Sequence, residues 1–375
     1  MKFRVERDVF ADAVAWAARS LPVRPSAPVL AGLLIEASDA GLVLSSFDYE
    51  TSARASLRAD VSDEGTTVVS GRLLADICKS LPHKPVDISV EGAKVMVKCG
   101  AASFSLPSMP VDEYPALPAM PAASGTVSST EFAKAVSQAV TAAGRDDMLP
   151  VLTGVRIEIE GESMALLATD RFRLSSRELT WQPATPDASI AALVPAKVLG
   201  DTAKSINSGD VTIALSASGS GDGLIGFEYG DDAGSRRTTT RLLDGEFPKV
   251  RSLFPAQHLT TVVLNRQDLI DAVKRVALVA ERNTAVQLEF TDSQLNLIAG
   301  SGEDAQGSEA VEAEITGEDL TTGFNPQYLL DGLTALDGEK VTLSFTQANK
   351  PVVLSATDGG PDSFRYLLMP RRLLS

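Results

Sequence analysis

Between Asp8 and Ser20, apolar residues recur at helical spacing, with Val9, Phe10, Ala13, Val14, Ala17 and Ala18 on one face. Leu21-Pro22 ends that run. Alternation with period two follows at Val29–Ala37 and Leu42–Phe47, separated by the turn residues Ser38-Asp39-Ala40-Gly41, and resumes over Thr51–Val61. A second helix is predicted from Ser70-Gly71-Arg72 to Leu81, stopped by Pro82. Val86–Val90 and Lys94–Cys99 then read as a hairpin around Glu91-Gly92-Ala93, and Phe104–Pro107 closes the unit. From Pro107 to Ser129 the chain is rich in Pro, Ala and Ser, which predicts an extended connector, neither helix nor central strand.

The same order of patterns then starts again. At an offset of 122, Phe132, Ala135, Val136 and Ala139 fall on Phe10, Ala13, Val14 and Ala17. Pro150-Val151-Leu152 falls on Pro28-Val29-Leu30, Gly154 on Gly32 and Asp170 on Asp48. The second halves match at 125: Val194, Leu199, Asp201, Lys204 and Ser205 fall on Val69, Leu74, Asp76, Lys79 and Ser80. Three extra residues between the halves fit a surface loop. A weaker third copy matches through Leu269, Ala272, Val273 and Val276 at 137, Val286, Leu288 and Phe290 at 131, and Phe324, Tyr328, Leu329 and Asp331 at 130. A period near 120 residues is a domain repeated, not a solenoid unit of roughly 20–50. Each copy holds two helix-plus-strands halves, so the fold class is α+β with antiparallel sheets covered by helices.

Composition adds limits. The 375 residues exceed one ordinary core and suit two or three domains, built from Leu, Val, Ile and Ala since aromatics are only 5%. No apolar run approaches the roughly 18 residues of a membrane span, and Met1–Phe10 lacks a signal peptide's apolar stretch. Cys78 and Cys99 are too few for a disulfide framework and read as small buried hydrophobes in a reducing cytoplasm. His83 and His258 have no partner at metal-ligand spacing and read as solvated loop residues. Gly219-Ser220-Gly221-Asp222-Gly223 has no following Lys, so it reads as a hairpin rather than a phosphate cradle. Asp48 and Asp170 occur once per copy, as turn residues do. No nucleophile–base signature is present, and neither an enzyme nor a cofactor is expected.

The net charge of −15 argues against nucleic acid unless the basic residues are segregated. The six predicted helices (8–20, 71–81, 129–143, 195–207, 266–280, 325–336) hold nine bases and eight acids, so the remaining segments carry −16. Helices of such near-neutral charge could face a polyanion. Six helices about 9 Å apart and about 10 Å thick would enclose a hole of only about 7 Å. Twelve, from two chains, would enclose about 24 Å, against a duplex about 20 Å across.

The triplicated unit, together with RPSAPVL (24–30), PVLTGV (150–155), LLATDRFRLS (166–175), DGEFPKV (244–250) and YLLMPRRL (366–373), resembles the bacterial DNA polymerase sliding clamp family over essentially the whole chain. The resemblance implies the DNA clamp fold, three tandem domains at 1–121, 128–254 and 259–375, closed into a ring as a head-to-tail homodimer. It implies partners too: double-stranded DNA held without sequence preference, and the replicative DNA polymerase, clamp loader and repair proteins docked through short peptide motifs. The family's peptide pocket would here comprise Leu152, Thr169, Arg173, Leu174, Pro248 and Leu253. Its tail side would comprise Leu368, Met369, Pro370, Arg371 and Leu373. Arg171-Phe172 and Ser252 depart from the family pattern, which has a small residue and a histidine at the first and a basic residue at the second. Arg24, Arg72, Lys79, Lys197, Lys204 and Arg275 are the implied DNA contacts. Ile77 and Phe104 of the first domain would meet Leu278 and Val279 of a partner's third domain. The rival reading is a monomeric three-domain scaffold that docks peptides without encircling DNA.

Overall fold

A computed structural model describes residues 1–206, 209–216, 223–231, 234–281, 284–291, 293–300, 305–360 and 362–373. Residues 219–222 of the glycine-rich hairpin lie outside these. The six expected helices form: α1 Arg7–Ala18, α2 Gly71–Ser80, α3 Ser129–Ala139, α4 Ala196–Ser205, α5 Arg266–Val276 and α6 Pro326–Ala335. Asn265 and Asn325 cap α5 and α6 alike, each side-chain oxygen accepting from two backbone N–H groups of the first turn.

The chain divides into two compact units. The first comprises 1–130, 182–185 and 204–242, and the second 131–181, 186–203 and 243–375. All strand pairs described are antiparallel. The first unit holds one sheet of fourteen strands. Its two halves meet where Gly234–Arg241 pairs with Thr51–Leu57, from Leu57 opposite Gly234 to Thr51 opposite Thr240. The second unit holds a nine-stranded and a four-stranded sheet. In the larger, the corresponding join is Arg173–Thr180 against Arg365–Leu368. The four-stranded sheet ends at Gln306–Glu312, an edge strand. Between the sheets, Leu269, Val273, Leu329 and Leu333 of α5 and α6 pack on Val286, Leu288 and Leu343. Burying such apolar stripes is the main stabilising term, at about 25 cal/mol per Å².

Three expectations are corrected. Val29–Ala37 is not strand throughout: Pro28–Ala31 is a 3₁₀ turn and the strand begins at Gly32. The second copy does the same at Pro150–Thr153 before Gly154, since proline suits a first helical position. The repeated glycine has a packing reason. A Cβ on Gly32 would meet Val68 at 2.4 Å, and on Gly154 would meet Leu193 at 2.8 Å. The connector is shorter than composition implied, because Ala123–Ser128 is a strand paired on both sides; the prolines stop at Pro121. Pro107 lies inside Ala102–Met109, but that strand's second neighbour joins only from Ser108, so no ladder bond is lost there. Both cysteines are buried free thiols.

Candidate functional site

In the second unit, a tight turn joins Ser163–Thr169 to Arg173–Thr180. Asp170 shapes it: its Oδ1 accepts from the N–H groups of Phe172 (3.0 Å) and Arg173 (3.1 Å). Arg171 takes a left-handed φ of 79° in consequence. Thr169 is committed to the same turn, donating to the Arg173 carbonyl at 2.7 Å and accepting from Arg171 N–H. The turn lifts Phe172 into solvent, 56% exposed, and tucks Arg173 beneath it.

Arg173 is 5% exposed. Its guanidinium donates to Asp170 Oδ2 (2.8 Å) and to Asp331 Oδ2 on α6 (2.6 Å), and lies 4.3 Å from the centre of the Tyr328 ring. Burial works against the charge, but Tyr366, Asp331 and Asp170 outweigh it and hold the guanidinium protonated. Burial also raises the Tyr366 hydroxyl above its ordinary range. Arg173 is therefore a buried strut, with one carboxylate partner in its own turn and the other on α6.

Beside the turn, Leu174, Leu367, Phe247, Val250 and Val353 form an apolar floor with Val151 against it. Exposed side chains stand nearby along the chain: Pro248 next to Phe247, Leu253 three residues after Val250, and Met369 two after Leu367. The Met369 N–H donates to the Phe172 carbonyl at 2.9 Å, which ties the tail to the turn. The predicted pocket set thus divides. Leu174 belongs to the floor, and Thr169 and Arg173 to its supporting turn. Leu368 points into the opposite core with Val352 and Tyr366, since neighbours on a strand face opposite ways, and Leu367 takes the floor position instead. Likewise Val151, not Leu152, lies against this cluster. Arg371 and Leu373 sit at Gly323, whose carbonyl accepts from Arg371 N–H at 2.8 Å. Pro370 connects the two regions. The period-two pattern of the 365–368 strand carried the signal for Leu367.

The other predicted residues are more scattered. Arg24, Lys79, Lys197 and Lys204 are exposed, the last three on α2 and α4. Arg72 is exposed and donates to the Leu21 carbonyl at 3.0 Å. Arg275 is not a free cation: it forms a two-pronged pair with Glu309 at 2.8 and 2.5 Å, and that hydrogen bond raises its pKa. Leu278 is 84% exposed, and Val279 packs near Gly307 of the edge strand. Ile77 is already buried, 9% exposed, without a second chain, while Phe104 is half-buried. Leu73, one helical turn before Ile77, is the exposed apolar residue there; i,i+4 spacing could have found it. Among the described residues no acidic, His or Cys cluster could hold a metal, and no helix is long and apolar enough to cross a membrane.

Three family models match in succession: the N-terminal, central and C-terminal domains of the DNA polymerase III beta subunit, at residues 1–118, 126–249 and 251–372. The chain belongs to that family. The family is the beta sliding clamp, a non-catalytic processivity subunit, so the chain is not an enzyme. It is 57% identical over 378 residues to the beta sliding clamp of Streptomyces coelicolor, covering 100% of both chains. It is 46% identical to the beta sliding clamp homolog GriR of Streptomyces muensis, covering 99% of each. Among solved structures, the sliding clamp of Bacillus subtilis superposes with a TM-score of 0.91 at 27% identity over 100% of both chains. A Pseudomonas aeruginosa sliding clamp bound to griselimycin superposes at 0.89, also at 27% identity and full coverage.

Proposed function

We propose that two copies of this chain, each with clamp domains near 1–121, 128–254 and 259–375, join head to tail around duplex DNA in the bacterial cytoplasm. The ring tethers the replicative polymerase. The Leu174–Leu367 groove docks short peptide motifs of the polymerase, clamp loader and repair proteins. What supports closure is a pairing rule that the chain follows twice. The third strand of the first copy's first half, Thr51–Leu57, pairs with the last strand of the second copy. Its counterpart in the second copy, Arg173–Thr180, pairs with the last strand of the third. The third copy's counterpart, Gln306–Glu312, has no such partner among the described residues, where it is a sheet edge. By the same rule its partner is the last strand of a first copy, Ala102–Met109. That strand has one side open from Ala102 to Pro107. In this reading a second chain supplies it, and that chain's edge strand takes the first copy of the first chain in turn. Such a heterologous contact closes because both ends are complementary. Leu278, exposed beside the edge strand, and Phe104 with Leu73 supply apolar cover.

DNA contact in this reading is weak and blind to sequence. The exposed lysines and arginines on α2 and α4 meet phosphate, while the acidic remainder repels it and prevents sticking. Groove recognition is apolar, with Leu and Phe anchors over the floor and Met369, Leu253 and Phe172 at its margin. Light scattering should give twice the 39.5 kDa chain mass. The dimer should stay on nicked circular DNA after loading and slide off when the circle is cut. Leu278→Asp should return the mass to that of one chain. A monomer in the unmodified protein at micromolar concentration would leave only the scaffold reading.

A further inference from the structure

We propose that a cavity beside the C-terminal tail is a second docking subsite, which takes the flank of a partner peptide bearing an aliphatic residue followed by a carboxylate; this rests on the groove reading above. The cavity measures about 460 Å³ and is separate from the Leu174–Leu367 floor. One wall is the outer face of the four-stranded sheet, where Gln287 and Ile298 are cross-strand partners. Their neighbours Val286, Leu288 and Leu297 point the other way, into the core. The opposite wall is the tail itself, Arg371 to Leu373.

Its chemistry is two-sided. Among the described residues that line it, Ala285, Ile298 and Leu373 are apolar, and the charged ones are Arg371, Arg372 and Glu281. In a chain of net charge −15, two arginines to one acid among the described lining residues is a local reversal of sign. A guanidinium fork suits a carboxylate, which it can hold through two parallel hydrogen bonds. A nucleic-acid phosphate would satisfy the charge but not the apolar half. Continuity points the same way. Met369 N–H is bonded to the turn at Phe172, and Arg371 N–H to Gly323, so the tail runs as a strap from groove to cavity. Four residue steps from Met369 to Leu373 span about 13 Å in extended chain. A peptide seated in the groove thus needs about four further residues to reach the cavity.

The test uses the whole 375-residue chain and five fluorescein-labelled peptides. One is the core Gln-Leu-Ser-Leu-Phe. The others carry that core with Gly-Ser-Gly-Leu-Asp or Gly-Ser-Gly-Leu-Lys added, made at either end. From one end, the Leu-Asp extension should tighten binding about tenfold over the core, with no gain from Leu-Lys. Arg372→Ala should remove the gain and leave core affinity unchanged. Equal affinities at both ends, an equal gain from Leu-Lys, or a gain that survives Arg372→Ala would overturn the subsite. So would displacement of the extension alone by a duplex oligonucleotide, which would assign the cavity to phosphate. Failure of the core peptide to bind sinks the groove reading instead. The Ile298 methyl resonance, titrated with Gly-Ser-Gly-Leu-Asp, then decides the cavity: a shift lost in Arg372→Ala keeps it, and no shift ends it.

Discussion

Replacing Arg173 with Met keeps an unbranched apolar stem and removes the guanidinium, so the loss reads the strut. Two charge-assisted hydrogen bonds disappear, at 2.8 Å to Asp170 and 2.6 Å to Asp331. Bonds to charged groups contribute about 1.5–3 kcal/mol each, and the contact with Tyr328 about 0.5–2 kcal/mol. The arginine is too buried for solvent to weaken these much, but its partners are less so, with Asp331 25% exposed. The abandoned carboxylates also keep other donors: Asp170 has two backbone N–H groups, and Asp331 has Gln327 Nε2 at 2.7 Å. Methionine recovers some apolar burial. The lower part of the range therefore applies, about 3 kcal/mol for the second unit. Urea is the denaturant of choice, because guanidinium salt would screen the pairs. Of the two tryptophans, Trp16 lies in the first unit and Trp181 in the second. A Trp16→Phe background leaves Trp181, 2% exposed, as the reporter. With a slope of about 3 kcal/mol per molar, the midpoint should fall by about 1 M. A fall under about 0.3 M would refute the strut. So would a double-mutant cycle with Asp331→Ala showing coupling below about 0.5 kcal/mol.

The acid limb of stability should depend on Glu158. Burial raises its carboxyl, but Arg156 and Arg251 outweigh that and hold it below the usual glutamate range. Its contribution is thus complete above the unfolded pKa of about 4.3 and lost as pH falls through the lower folded value. Glu158→Gln should flatten the fall of the Trp181 urea midpoint below about pH 5, and an unchanged slope would reject the assignment. Deleting Met369 to Ser375 should abolish binding of a Gln-Leu-Ser-Leu-Phe peptide while the particle keeps twice the chain mass. Retained affinity would move the groove elsewhere.

The fold was legible because the chain states it three times. Helix positions followed from apolar spacing alone, and all six lie within a few residues of expectation. What eluded the pattern was local geometry set by neighbours far along the chain. Pro28-Val29-Leu30 runs into a strand pattern, yet it forms a 3₁₀ turn, and the glycine that follows stands where Val68 leaves no room for a Cβ. Ala123–Ser128 has no strong strand signature and is a strand because partners on both sides claim its backbone. The site was less legible than the fold. The motif residues identified the region, but nothing local showed that Arg173 and Arg275 pair with Asp331 and Glu309. Those partners are 158 and 34 positions away, beyond any local pattern.

The two turns at Asp48 and Asp170 show how a repeated scaffold yields one site. In both, the aspartate Oδ1 accepts from the N–H groups two and three residues on, and the next residue takes a left-handed φ, 75° at Tyr49 and 79° at Arg171. The backbone solution is the same; the third residue after the aspartate differs. In the first copy it is Thr51, whose hydroxyl stops at Thr240 on the adjoining strand, 3.0 Å away. In the second it is Arg173, long enough to cross to α6 of the following domain. The short side chain gives a flush join between two halves of one sheet. The long one fastens two domains beneath the turn and leaves Phe172 standing above them. A residue pattern shared by both copies cannot by itself mark a site. What marks it is the position at which the copies part: there a buried charge takes one carboxylate from its own turn and a second, Asp331, from the next domain.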